Sequence, residues 1–291
     1  MEFLSTASAE AVEAEWLFQY AAGAPPSDRE ILGLTARRLD GGVVLSARTD
    51  PSRYWSKALG FDGPVTARLI DAILDVYRAE ATPHAMLQFA PDALPVDWEE
   101  IRLARGLRPG DRRAKLVAPI ESLRPSGITD LRIGPLTADH AEAWAALVLD
   151  GFGMPHEGSL GLVAASVSHP QFFPYAAWDG DTIVAAAHLF VHDGIAALNS
   201  AVTAPTHRRR GAQSALIAAR IGKARELGCR RVVAETHEAL GGRVNSSTRN
   251  LLRVGMRVRY VRQSYLWDED PWTTDHRAEA EVTARCYEAL G

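Results

Sequence analysis

From residue 172 onward the apolar positions fall into short runs broken by turn dipeptides. Phe172–Trp178, Thr182–Val191 and Ile195–Val202 are separated by Asp179-Gly180-Asp181 and by His192-Asp193-Gly194. Asp-Gly between apolar runs signals a tight hairpin, because the turns it adopts match the twist of paired strands. The pattern therefore predicts a three-stranded antiparallel meander. Gly211 then opens a helix with Ile217, Ile221 and Ala224 on one stripe, and Gly228 closes it. Arg231–Ala234 reads as a strand, Ser246 to Val254 as a helix stopped by Gly255, and the stretch through Val258, Tyr260 and Tyr265 as a last strand. Upstream, Asp130–Ile133 alternates as a short strand. Thr137 and Asp139 are candidate N-caps for a helix through Ala141, Trp144, Leu147 and Val148, and a second helix covers Ser159 to Ser168. The order β-α-α-β-β-β-α-β-α-β predicts an α/β fold, a mixed sheet with helices on both faces.

The first half echoes the later part of this order. Val43–Ser46 is a strand, Pro64 opens a helix with Val65, Leu69, Ile73 and Val76 on one stripe, and Met86–Phe89 is a strand. Asp97–Arg105 is a helix stopped by Gly106, and Ala114–Val117 is another strand. Ala104-Arg105-Gly106-Leu107 and Arg253-Val254-Gly255-Met256 both place a helix stop before an apolar residue. An internal duplication explains the echo, and unrelated helix–strand packing is the alternative. Between the halves, Ala118–Gly127 holds two prolines and a glycine without a sustained period, which reads as a linker or crossover. The expected division is 1–122 and 123–291.

Composition narrows the class without naming a chemistry. The chain has 291 residues, 47% apolar and 23% charged, with a formal net charge of -4, so no global attraction to nucleic acid or anionic membrane is implied. Cys229 and Cys286 form neither a disulfide framework nor a metal-ligand spacing, which points to a reducing compartment and no metal. The segment Met1–Ser5 leads into no basic-then-apolar signal, and no run approaches the ~20 apolar residues that span a bilayer. A cytoplasmic protein is expected.

The segment Thr203-Ala204-Pro205-Thr206-His207-Arg208-Arg209-Arg210-Gly211-Ala212-Gln213-Ser214 carries the chemistry. It follows a strand and opens a helix, so its main-chain N–H groups face a ligand at the positive end of the helix dipole, an arrangement suited to pyrophosphate. Gly211 permits close approach, Pro205 ends strand pairing, and the three arginines offer charge-assisted contacts. A solvated basic cluster is the plain alternative.

This segment resembles the acyl-CoA signature of the GCN5-related N-acetyltransferase (GNAT) superfamily: arginine or glutamine, two residues, glycine, any residue, then glycine or alanine. Arg208 and Gly211 fit, whereas Gln213 departs from the small final residue. Asn250–Met256 looks like the family's last helix with its Gly-Phe ending, and the resemblance spans about residues 129–268. It implies an acyl-CoA N-acyltransferase fold in tandem, with only the C-terminal copy complete, and acetyl-CoA as co-substrate. It also implies direct attack by the amine of a small molecule. Coenzyme contacts are then expected from Ala201, Val202 and Thr203, where the strand splays from its neighbour, and from Arg208, Arg209, Arg210, Gly211, Ala212, Gln213, Ser214 and Asn245. The amides near residues 201–203 would polarise the thioester carbonyl.

For proton transfer, the position that holds a tyrosine in many members is Leu251 here. Glu235 is the first choice for base, acting through water, with a surface or substrate-binding carboxylate as the alternative. Tyr265 is the candidate acid, at a place that also suits packing. Asn199, Ser200 and His237 are candidate substrate contacts; ordinary strand pairing explains the first two as well, and an incidental loop residue the third. Asn245 equally suits an N-cap. The first half has no arginine–glycine turn: Leu59-Gly60-Phe61-Asp62-Gly63-Pro64 puts an acid and a proline where phosphate needs donors. That half is expected to shape the acceptor pocket or complete the sheet. The stretch Asp275–Leu290 reads as an amphipathic helix for a domain or partner chain, such as a homodimer; no nucleic-acid or membrane partner is expected. A non-catalytic acyl-CoA-binding sensor is the competing function.

Overall fold

The computed structural model describes residues 4–238 and 245–270. The helix expected at Asp275–Leu290, with Cys286, lies outside them.

The first half begins with α1 (Thr6–Gly23) and α2 (Pro26–Leu32), followed by β1 (Leu34–Leu39), β2 (Gly42–Ala47) and β3 (Lys57–Leu59). Next come α3 (Ala67–Ala79), β4 (His84–Gln88), α4 (Trp98–Ala104) and β5 (Arg108–Pro119). The second half runs β6 (Arg132–Pro135), α5 (Ala141–Phe152), α6 (Leu160–Ala165), β7 (Phe172–Asp179), β8 (Thr182–His192), β9 (Ile195–Thr203), α7 (Ala212–Glu226), β10 (Arg231–His237), α8 (Ser246–Arg253) and β11 (Arg257–Asp268). The meander is β7-β8-β9. Its two turns carry Gly180 at φ 58° and the pair Asp193 and Gly194 at φ 48° and 71°, the left-handed backbone that Asp-Gly supplies cheaply.

All eleven strands join one sheet in the order β1-β2-β3-β4-β11-β5-β10-β9-β8-β7-β6. Two pairings are parallel, β3 with β4 and β9 with β10, and the rest are antiparallel. The run β1-β2-β3-α3-β4-α4-β5 thus repeats in β7-β8-β9-α7-β10-α8-β11, the internal echo of the sequence. The final strands of the two runs are exchanged. β5 pairs with β10, and β11 lies between β4 and β5. The sheet is therefore continuous across residues 122–123.

Side-chain alternation along the strands sorts the core into two faces. Val43 and Leu45 pack with α1, α5 and α6, whereas Val44 packs with α3. On β10, Val233 joins the α1 face, while Val232 and Ala234 pack under α7 with Ile217 and Ile221. Burial of each such isoleucine is worth ~1.5–3 kcal/mol, which seats α7 on the meander. α1 itself was not foreseen. It is buried around most of its circumference, and Glu10, Glu13 and Glu15 are buried along with Val12 and Leu17, so it lacks an apolar stripe. Pro64 and Val65 precede α3 rather than open it; Thr66 is its N-cap.

Candidate active site

β9 and β10 pair in register only from Ile195↔Arg231 to Leu198↔Ala234 and then part. On the other side of β9 the register with β8 slips between Ala186 and His188, leaving Ser200 and Ala201 without partners, and Ser200 takes φ 50°. A bulge of this kind re-aims a strand and frees backbone groups. The fully buried guanidinium of Arg220, from α7, holds the deformed place. It donates to His188 O at 2.8 Å, Leu216 O at 3.1 Å and Asn199 O at 3.4 Å, and burial lowers its pKa to about 9. Asn199 stands at the parting with neither side-chain Nδ2 nor Oδ1 hydrogen-bonded among the described residues.

Beyond Thr203 the chain turns through Pro205–His207 and enters α7. Gly211 is the N-cap residue at φ 82°, and no side chain caps this end of the helix. A Cβ on Gly211 would stand 2.1 Å from Ile128 O, so both its backbone angle and its contact with the 123–131 segment demand glycine. The first amides of α7 have no intrahelical acceptor, and Ala212, Gln213 and Ser214 line the adjoining cavity with Arg208 and Arg209. Gln213, the departure from the signature, turns back to the strand: its amide nitrogen donates to Val202 O at 2.7 Å and Thr203 Oγ1 at 2.9 Å. Arg210 differs from the expectation made for it. Its guanidinium is held by Asp179 at 2.6 Å and by Asp130 at 3.2 Å through Nε, and it is not among the cavity-lining residues. It ties the turn to β7 instead of offering charge to phosphate.

On the α1 face, a cluster of buried charges surrounds Glu235, the residue directly after the parting. Arg262 donates to Glu235 at 2.5 Å, to Glu13 at 2.7 Å and to Glu10, while Lys115 lies 3.3 Å from Glu235 and pairs with Glu13. Burial alone would raise the Glu235 carboxyl, but Arg262, Lys115, Arg113 and Lys57 together pull it down to about 2. A carboxylate held so low is a weak proton acceptor, so the structure places Glu235 as a partner in the ionic cluster rather than as a tuned base. Tyr265 is displaced more fundamentally. Alternation along β11 sends it to the opposite face from Arg262, where it is 5% exposed and packs edge-on against Trp98 at 4.8 Å. It does not line the cavity.

His237 does line it and lies 3.4 Å from Asp111. Burial and then Arg113 depress its pKa to about 4, outweighing Asp111 and Glu235, so the ring is neutral near pH 7. Asn245 caps α8, accepting from Thr248 N at 2.7 Å while donating to His237 O at 3.1 Å. Both of its side-chain groups are thereby committed to structure, although it borders the cavity. Cys229 is a buried free thiol.

These elements open onto one cavity of about 1580 Å³ that runs from the α7 amides past the β9–β10 parting to the first half of the chain. Its far wall comes from residues that sequence reading passed over: Tyr20 of α1, Tyr54 and Trp55, Lys57 of β3 and Arg113 of β5. Tyr20 is 3% exposed, and its hydroxyl is 2.8 Å from Nδ1 of the buried His188, whose Nε2 is 3.1 Å from Ser166 Oγ. Ser166 donates to Val163 O at 2.6 Å, so the consistent tautomer has His188 Nε2–H donating to Ser166 and Tyr20 donating to Nδ1. Asp50 shapes the loop before β3, accepting from Ser52 N at 2.8 Å and from Tyr54 N and Trp55 N at 2.9 Å.

Residues 140–243 match the family model described as Acetyltransferase (GNAT) family. The match begins at the start of α5 and takes in the meander, the turn and α7. Over these residues the chain is similar to that family. Solved structures share the fold over more than nine-tenths of the chain. A GCN5-related N-acetyltransferase from Kribbella flavida superposes with TM-score 0.62 at 17% identity, covering 94% of this chain and 99% of the other. A GCN5-related N-acetyltransferase from Sphaerobacter thermophilus gives 0.57 at 15%, covering 92% and 95%. A tandem GNAT protein from the clavulanic acid biosynthesis pathway gives 0.55 at 11%, covering 91% and 94%. No curated protein matches the chain.

Proposed function

We propose that this protein is an N-acetyltransferase that moves an acetyl group from acetyl-CoA to the primary amine of a small molecule by direct attack. The observation that carries the reading is the continuity of one cavity from the uncapped α7 amides to the β9–β10 parting. In this reading the pyrophosphate sits on the amides of Ala212–Ser214 with Arg208 and Arg209 beside it, and the pantetheine arm lies along residues 201–203. The thioester carbonyl is polarised by an N–H at the bulge. The amine nitrogen bonds to the carbonyl carbon as the C–S bond breaks, and the proton lost by the amine ends on the coenzyme thiol. Of the tyrosines, Tyr20 and Tyr54 border the cavity, whereas Tyr265 is packed in the core.

A walled chamber, as opposed to an open groove, favours a small acceptor over a protein tail. No helix among the described residues is long and apolar enough to cross a membrane. Calorimetry with acetyl-CoA, followed by coenzyme release from a panel of amines, tests the proposal. Binding followed by release supports it; no heat from any CoA thioester ends it. The depressed Glu235 favours one competitor, an acyl-CoA sensor without turnover, which binding without release from any amine would establish.

A further inference from the structure

The cavity wall facing away from α7 holds two cations with donors that no described residue fills. Lys57 is 5% exposed, and its ammonium sits 3.5 Å from the centroid of the Tyr54 ring. It makes neither an ion pair nor a hydrogen bond with any described residue. Arg113 gives its Nε to Asp111 at 2.6 Å, while its two terminal nitrogens make no hydrogen bond with described residues and its side chain keeps 20% exposure toward the cavity.

Each carboxylate around them has a cationic partner of its own. Glu13 and Glu235 are held by Arg262 and Lys115, and Asp111 by Arg113. Counting Glu10, Glu13, Asp111 and Glu235 against Lys57, Arg113, Lys115 and Arg262, the cluster is neutral. Its selectivity therefore lies in which charges present free donors to the cavity, and those are Lys57 and Arg113. A buried ammonium without a partner is costly, and a second cation acting on it adds to that cost. After burial, Arg113 is the next cause that lowers the Lys57 pKa, to about 8. An anion between the two would relieve both penalties, and the guanidinium fork matches a carboxylate.

We infer that Lys57 and Arg113 form an anion subsite for a carboxylate on the acceptor, so that the amine acetylated belongs to an amino acid or a comparable amino-carboxylate. The inference rests on the acyl-transfer reading for the identity of the bound molecule. It rests on the chain's own geometry for the subsite. Both cations act electrostatically on Glu235, the first residue past the β9–β10 parting, so the carboxylate and the reacting amine share one chamber. Trp16, Tyr20 and Trp55 supply the apolar remainder of that chamber.

The test compares N-acetyl amino acids with their uncharged amides as product-like ligands of the full-length protein. Binding is measured by calorimetry for a panel of apolar, polar and basic side chains, and acetyl-CoA binding is measured in parallel. The acid of at least one pair is expected to bind about 10- to 100-fold more tightly than its amide, the range of one or two charge-assisted contacts. Lys57→Met and Arg113→Met should each erase most of that preference with acetyl-CoA affinity unchanged, and Lys57→Arg should restore part of it. Equal binding of acid and amide throughout the panel, no binding of either, or a preference that survives both methionine variants would overturn the subsite. If a methionine variant fails to fold, as loss of acetyl-CoA binding would reveal, the wild-type comparison still decides. A wild-type protein that prefers the acids yet ignores acetyl-CoA would instead refute acyl transfer and leave the subsite standing.

Discussion

Two turns in this chain join a parallel strand to a helix at the same topological place, and they treat the helix N-terminus oppositely. After β3 the chain reaches α3 through Asp62 and Pro64, and Thr66 caps the helix by accepting from Leu69 N at 3.1 Å. After β9 it reaches α7 through three arginines and Gly211, and no side chain caps the helix. The strands differ in the same sense: β9 carries a bulge and leaves β10 after Leu198, whereas β3 is only three residues long. The same strand-turn-helix arrangement can thus present either an uncapped helix end or a satisfied, closed one, and a few residues decide which. The closed copy lines the far side of the chamber with Tyr54, Lys57 and Arg113.

The most severe way to break this comparison is to separate the copies. Residues 123–291 alone lack β5, which lies between β10 and β11, so the fragment is expected to be insoluble or inactive. Recovery of full acetyl-CoA binding by the fragment would show that the first copy is dispensable. Next in size is Gly211→Ala. A left-handed alanine costs ~1–2 kcal/mol before the clash with Ile128 O, and acetyl-CoA affinity measured by calorimetry should fall by about 100-fold or more.

Smaller and sharper is the contrast within the arginine triplet. Arg209→Ala should weaken acetyl-CoA by roughly tenfold, the scale of one charge-assisted contact. Arg210→Ala should leave that affinity nearly unchanged, because Asp130 and Asp179 hold that side chain. Glu235 gives a pH signature. Its folded pKa of about 2 lies below the ordinary 4.5, so its contribution to stability is complete above pH ~4.5 and fades as pH falls toward 2. Urea midpoints for Glu235→Gln should therefore show less acid sensitivity than the wild type. The smallest effect belongs to Thr66→Ala, expected to cost ~1 kcal/mol of stability with no change in acetyl-CoA binding.

The second copy was legible because each of its elements carries a local mark. Asp-Gly pairs closed its hairpins, glycines at 211, 228 and 255 bounded its helices, and the order of elements followed. In the first half α3 was read from its stripe and α4 from its glycine stop, but α1 was missed. α1 buries carboxylates beside apolar residues, so no periodic face appears, and the partners that make this tolerable, Arg262 and Lys115, lie far along the chain. The error over Tyr265 has the same root. Its register is set by Leu87 and Pro109, strands that the sequence alone did not bring beside it. Glu235 was singled out as a base, but its protonation behaviour depended on those same distant cations.

The exchange of β5 and β11 bears on how the molecule is made. β11 occupies the interior of the sheet, with first-copy strands on both sides. Neither copy can close its hydrogen-bond ladder until translation has passed residue 268. At ~5–20 residues per second, the open edges of β4 and β5 wait on the order of tens of seconds on the ribosome. Over that interval they are surfaces that a chaperone, or a neighbouring nascent chain, can reach before the chain's own last strand does.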